Sequence, residues 1–232
     1  MKFIAHRGAC LERQENTLEA LERGAEYGAF AVECDPHYTK DGVAVLFHDD
    51  DLMRLVGYPG KVEEMSYVQM QIRLSSHKKK ITPLKDVLEK FSGGSAVVFD
   101  LKKADESMLE AISKASFRAI AGIRSLEDLE LAKKYFSAEN ILAFIPSADK
   151  AKEYSDNGAG IIRLWEHWLD DVSVSDVKAI LPADREVWVM ANNPKISDPL
   201  FCMDGSVTQV EKIKETGADG YILNNIRMAA SI

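Results

Sequence analysis

The sequence predicts an α/β fold, a (β/α)8 barrel of eight parallel strands alternating with helices. Short apolar or β-branched runs alternate with amphipathic stretches along nearly the whole chain, the pattern of a parallel sheet covered by helices. Nine such runs occur, one too many, but Asp41-Gly42 between the second and third marks that step as an antiparallel hairpin return. No GxGxxG or GxxxxGK fingerprint follows the first run, so an open doubly wound sheet, the alternative for this alternation, lacks its phosphate loop. At 232 residues the chain fits one domain, 1–232, since barrels of about 250 residues are commonly undivided.

In order, the strands are expected at FIAH (3–6), AVECD (31–35), VAVLFH (43–48), AVVFDLK (96–102), FRAIAGI (117–123), ILAFI (141–145), GIIRLW (160–165), REVWVMA (185–191) and DGYIL (219–223). Helical spacing appears in 17–28, 83–91, 125–136 and 207–217, where apolar residues recur at three and four positions. Thr17 precedes the first helix, Ser125 is followed three residues on by Asp128, and Pro83 is expected in a first helical turn. Gly28, Gly158 and Gly217 fit C-terminal stops. Residues 49–80 are the least regular and read as a loop-rich insertion or lid, with Lys78 to Lys80 a solvated face or, as a weaker rival, a contact for an anionic membrane surface.

Composition narrows function. A net charge of −8 argues against a nucleic-acid footprint, which needs a basic face. Three scattered cysteines, Cys10, Cys34 and Cys202, exclude a disulfide framework and suit a reducing, cytoplasmic setting. No apolar run reaches membrane-span length, so stable membrane insertion is not expected. Oligomeric state is not legible.

Polar residues converge at the C-terminal strand ends, where barrel enzymes do their chemistry. Alternation puts Glu33 and Asp35 on one face of their strand and Cys34 on the other, and it points Asp100 and Lys102 together into the mouth. With a two-residue turn at Asp41-Gly42, Lys40 pairs with Val43 and His48 falls opposite Asp35, although Pro36 in that ladder invites a bulge. Oxygen-only ligation by Glu33, Asp35 and Asp100 suits one hard divalent cation, Mg²⁺ or Ca²⁺, rather than zinc. Arg7 and Lys102 offer fixed positive charge for a phosphate, Glu15, in the loop that closes over the site, is a candidate substrate contact, and Arg163 at the end of GIIRLW meets phosphate or forms a surface ion pair. His6 and His48 are the candidates for general acid and base. Trp165 and Trp168 wall a pocket or belong to the core; His37, His77 and His167 carry no partner pattern.

His6-Arg7-Gly8, Glu15-Asn16-Thr17, Glu33-x-Asp35, Thr39-Lys40-Asp41-Gly42 and His48-Asp49, in this order over the first fifty residues, resemble the N-terminal signature of the glycerophosphodiester phosphodiesterase family. The resemblance implies a TIM barrel and metal-dependent hydrolysis of glycerophosphodiesters to glycerol 3-phosphate and an alcohol. It places metal carboxylates on Glu33, Asp35 and Asp100, catalytic histidines on His6 and His48, and phosphate contacts on Arg7 and Lys102. It also implies a two-step course: the substrate's neighbouring hydroxyl attacks phosphorus, and water opens the cyclic phosphate. Two departures stand out. Aspartate at 100 replaces the family's usual glutamate, setting the carboxylate back by about 1.5 Å. Toward the C-terminus, Val189 to Asn193 lacks the family's tryptophan, and Leu223-Asn224 replaces a Thr-Asp pair, changes expected to touch the substrate side. Two other readings keep the residues: lysophospholipase D or cyclising lyase chemistry on lysophospholipids, and a barrel that binds phosphodiesters without turnover.

Overall fold

The computed structural model describes residues 1–191 and 214–229. In chain order its strands are β1 (Lys2–Ala5), β2 (Ala31–Cys34), β3 (Pro36–Tyr38), β4 (Ala44–Leu46), β5 (Asp51–Leu52), β6 (Tyr58–Lys61), β7 (Thr82–Pro83), β8 (Ala96–Asp100), β9 (Ala119–Ile123), β10 (Ile141–Phe144), β11 (Ile161–Trp165), β12 (Glu186–Met190) and β13 (Gly220–Leu223). Its helices include α1 (Leu18–Glu26), α2 (Met53–Val56), α3 (Tyr67–Ser75), α4 (Leu84–Lys90), α5 (Glu106–Ser113), α6 (Leu126–Ala132), α7 (Ala151–Asp156) and α8 (Val174–Ala179). Strands β1, β2 and β8 to β13 close a parallel barrel in the order β1-β13-β12-β11-β10-β9-β8-β2. The expected helix 207–217 falls largely outside the described residues, as do Asn192, Asn193 and Cys202.

Period-two alternation sorts the barrel strands into two cores. Ile4, Ala31, Val98, Ile120, Leu142, Phe144, Ile161, Trp188 and Ile222 fill the interior. Their neighbours Ala5, Val32, Cys34, Val97, Phe99, Ile162, Val189 and Tyr221 face outward into a second core under the helices. The helices present the matching stripe: in α1 the buried set is Ala20, Leu21, Gly24 and Ala25. Starts are set by side-chain caps, with Thr17 accepting from the Ala20 N–H and Ser125 from the Asp128 N–H. Gly28, Gly158 and Gly217 all take positive φ. Pro83 sits one step earlier than expected, capping α4 with extended backbone, because its second role is to pair with Val45 in the rim sheet.

The hairpin differs from the expected register by one residue. Strands β3 and β4 pair Pro36 with Leu46 and Tyr38 with Ala44, so the Phe47 N–H, not His48, meets the Asp35 carbonyl at 2.8 Å. Thr39 decides this. Its hydroxyl bonds the Asp41 carboxylate at 2.7 Å and accepts the Val43 N–H at 3.1 Å, closing a three-residue loop around 40–42. Gly42 takes φ 75° in that loop, the left-handed position such hairpins require.

The 49–80 segment is more regular than expected. It holds β5, α2, β6 and α3, and Val45, Phe47, Leu52, Val62, Met65, Met70, Leu74 and Ile81 form a core beneath them. Two exposed apolar residues on α3, Val68 and Ile72, blur the helical stripe that Met70 and Leu74 bury. Strand β8 ends at Asp100, so Lys102 lies in the bend beyond it rather than in the strand.

Candidate active site

The mouth of the barrel is built by extending the interior alternation one step past each strand. On β1, Ile4 fills the interior and His6 follows two residues on, its N–H still in the ladder at 3.0 Å from the Leu223 carbonyl. The chain then turns sharply: Arg7 takes φ 54°, unusual for a residue with a side chain, and Gly8 takes φ 76°. A Cβ on Gly8 would stand 2.4 Å from the Ala20 carbonyl carbon, so only glycine lets this loop lie on α1. The turn aims the Arg7 N–H at Glu33 Oε2, 2.7 Å away.

Glu33 and Asp35 enter from β2 and Asp100 from β8, all three buried. Asn16, itself at φ 57°, clamps Asp35 twice: its amide donates to Asp35 Oδ2 at 2.8 Å and its carbonyl accepts the Asp35 N–H at 2.9 Å. One oxygen from each carboxylate falls within 4.8 Å of the others. Glu33 Oε1 and Asp35 Oδ1 are buried with no hydrogen-bond partner among the described residues. Burial, then Asp35 and Asp100, pushes the Glu33 carboxyl well above its ordinary range. Burial likewise raises Asp100 although Arg124 opposes it, whereas at Asp35 the opposing pull of His48 and Arg7 outweighs burial. Buried acid oxygens facing one another without donors are costly unless a cation or protons sit among them. The donor set is all oxygen, so the residues fit a hard divalent cation.

The two histidines are held from opposite sides. His6 Nδ1 lies 2.6 Å from Asn224 Oδ1, and its Nε2 faces Glu33 at 3.8 Å. Burial, reinforced by Arg7, drives its pKa down to about 3, leaving a neutral ring. Donation of Nδ1–H to Asn224 leaves the Nε2 lone pair toward the mouth. Asn224 thus gives the Leu223-Asn224 departure a place beside a histidine rather than on the substrate side. His48 Nδ1 meets Asp49 Oδ1 at 2.7 Å. Asp49 accepts Arg54 Nε–H at 2.6 Å, and Arg54 donates to both oxygens of Glu15 at 2.8 and 2.5 Å. Glu15 in turn holds Arg7 Nη1 at 3.1 Å. Both Glu15 oxygens are therefore occupied by arginines, and a continuous charged chain joins Arg7 to His48. Burial opposes the Arg7 charge, but Asp35, Glu15 and Glu33 together secure it.

Lys102 makes no hydrogen bond or ion pair among the described residues, so the structure does not bring it to the carboxylates. Arg124 stands there instead: its Nε and Nη2 grip Asp100 at 3.1 and 2.6 Å. Sequence reasoning missed it, although the signal was present. Ile120 and Gly122 share the inward face of β9, and Arg124 is the next residue in that alternation. Arg163 points inward from β11, is only 3% exposed, and packs its guanidinium 4.0 Å from the Trp165 ring centre. That places it inside the mouth rather than in a surface ion pair. Trp165 packs against the interior core and Trp168 against the outer one, their rings 4.0 and 5.6 Å from the Arg163 guanidinium carbon.

The sequence model of the glycerophosphoryl diester phosphodiesterase family matches residues 6–155. A human protein named glycerophosphodiester phosphodiesterase 1 is 31% identical over 121 residues, covering 48% of this chain and 37% of that protein. The matched part therefore spans well under half of that relative. Among solved structures, a glycerophosphodiester phosphodiesterase from Thermotoga maritima superposes with a TM-score of 0.75 at 23% identity, covering 99% of this chain and 96% of that one. An Oleispira antarctica phosphodiesterase, solved with its product sn-glycerol-3-phosphate, gives 0.72 at 21% identity over 100% and 96%.

Proposed function

Since the chain belongs to the glycerophosphoryl diester phosphodiesterase family, we propose that it hydrolyses glycerophosphodiesters to glycerol 3-phosphate and an alcohol. One observation carries the reading: two histidines, an arginine and a buried three-carboxylate cluster meet at the C-terminal end of the barrel, the histidines held through Nδ1, and Glu33 and Asp35 each keeping one oxygen without a hydrogen-bond partner among the described residues.

In this reading Glu33, Asp35 and Asp100 hold one divalent cation, Mg²⁺ or Ca²⁺. Bound there, such an ion would supply positive charge that acidifies a substrate hydroxyl and offsets charge developing on the phosphoryl oxygens. His6, its Nδ1 held by Asn224, takes the proton through Nε2 from the substrate's neighbouring hydroxyl as that oxygen attacks phosphorus. His48 gives a proton to the leaving alcohol. Asp49 stabilises the protonated ring and fixes its tautomer. The pair exchange roles when water opens the cyclic phosphate. Arg7 neutralises the phosphoryl oxygens, its direction set by Glu15. Lys102, in the bend just after Asp100 and without an ion pair among the described residues, is a second cation for the phosphate in this reading. The test is release of glycerol 3-phosphate from glycerophosphocholine, expected with Mg²⁺ or Ca²⁺ and lost in EDTA; undiminished turnover in EDTA would overturn the reading.

A further inference from the structure

The walls of the mouth differ in charge. Glu33 and Asp35 stand on β2, and β11 lies four strands away in either direction around the barrel, directly across. Arg163 stands on that far side, and Arg124, just past β9 and two strands from β2, stands between the two walls. The Arg124 and Arg163 guanidinium carbons lie 5.3 and 5.2 Å from the same ring, Phe144. Arg124 is matched by Asp100. Arg163 has no match: it makes no hydrogen bond or ion pair among the described residues, and its Nε and Nη1 are buried without acceptors.

A buried guanidinium without an acceptor is expensive. The faces of Trp165, Phe144 and Trp168 at 4.0, 5.2 and 5.6 Å hold its plane, but cation–π contact takes none of its five N–H donors. Burial, with Arg124 adding to it, lowers the Arg163 pKa to about 9 against the pull of Asp100, so the group is charged at neutral pH. Arg7, the candidate for the scissile phosphate, stands beside the opposite, carboxylate wall.

We propose that Arg163, with Arg124 beside it, forms an anion subsite for the leaving half of the substrate, so that the preferred diesters carry a second anionic group, a phosphomonoester, on the leaving alcohol. This rests on the hydrolytic reading above. With the glycerol half and the reacting phosphorus on the β1–β2 side, the leaving alcohol extends across the mouth toward β11. A phosphomonoester there brings about two negative charges and three acceptor oxygens, matching the Arg163 donors that have no partner among the described residues and the exposed edge of Arg124, whose side chain is 40% exposed.

The test compares two diesters that differ in one group: glycerophosphoglycerol, and the same compound with a phosphomonoester on its leaving glycerol. At fixed free Mg²⁺ and ionic strength, kcat/KM is expected to favour the phosphorylated diester by about 10- to 100-fold, the weight of charge-assisted hydrogen bonds. In Arg163→Met the ratio of the two is expected to fall to near one, and in Arg163→Lys to fall part of the way, since an ammonium cannot reproduce the planar donor set. Removing a buried charge that has no partner among the described residues should leave the melting temperature of Arg163→Met unchanged or higher. A ratio near one in the wild type, or a preference that persists in a folded Arg163→Met, would overturn the subsite. Calorimetric binding of both diesters to His48→Ala makes the same comparison without turnover, so failure of hydrolysis and failure of the subsite are read separately.

Discussion

Replacing Arg54 with methionine asks whether the charged chain behind His48 does more than fasten the insertion to the barrel. The Arg54 guanidinium makes three hydrogen bonds of 2.5–2.8 Å to Glu15 and Asp49, whose side chains are only 15% and 22% exposed. A charge-assisted hydrogen bond contributes about 1.5–3 kcal/mol, but three on one guanidinium do not add. Glu15 keeps Arg7 and Asp49 keeps His48, so the expected loss of stability at pH 7 is about 2–3 kcal/mol. Its pH dependence has a definite sign. Burial pushes the Glu15 and Asp49 carboxyls up, yet Arg54, with Arg7 at the first and His48 at the second, brings both below their ordinary values. A depressed folded pKa gives stability that is full above the unfolded value, about 4, and is lost as pH falls through the folded one. The gap between wild type and variant in urea denaturation is therefore full at pH 7 and narrows below about pH 4. For turnover, a displacement of about 1 Å in a catalytic group costs up to 100-fold, so kcat should fall about 10- to 100-fold. KM should stay within about fivefold, since Arg54 touches no substrate in this account. Arg54→Lys should recover part of the stability but little of kcat, because one ammonium cannot bridge two carboxylates as the fork does. A kcat for Arg54→Met within about twofold of wild type, with stability reduced, would refute a positioning role.

Gly8→Ala should cost about 3 kcal/mol or more, because it combines a positive φ with a Cβ driven against the Ala20 backbone; thermal melting equal to wild type would show the loop free to move away. Asn16→Ala should lose both bonds to Asp35 and destabilise the fold by about 2–4 kcal/mol. Losing the clamp should also slow kcat, and Asn16→Gly, which relieves the left-handed strain but not the lost bonds, should be as slow as Asn16→Ala; recovery of wild-type kcat in Asn16→Gly would mean that backbone strain, not the clamp, sets the rate.

Much of this architecture is legible because barrel strands announce themselves locally. All eight barrel strands lie where apolar runs placed them, within a residue or two at each end, and inward alternation alone puts Glu33, Asp35 and Asp100 in one cluster. What was not legible depends on choices among near-equal local structures. The hairpin register turned on one hydroxyl, Thr39, that favours a three-residue loop over the two-residue turn that Asp-Gly suggests. His48 lies beyond the β3–β4 ladder, so Asp49 and Arg54 set its direction rather than the register. Lys102 was projected into the mouth by extending a strand that stops at Asp100. Arg124 was overlooked because it stands one residue past the last apolar residue of its strand. Its grip on Asp100 is also the physical answer to the shortened carboxylate: a charge that reaches less far into the mouth is met by an arginine from the neighbouring strand. The insertion hid its order in strands of two and four residues around a Pro-Gly pair, too short for periodicity to register.

The most direct measurement is a phosphorus NMR time course of glycerophosphocholine with the full chain, run with Mg²⁺, with Ca²⁺ and in EDTA, beside His6→Ala and His48→Ala. The account predicts that the diester signal gives way to glycerol 3-phosphate with at least one of the cations, and that EDTA or loss of either histidine stops the conversion. Conversion that proceeds in EDTA, or that survives loss of both histidines together, would contradict it.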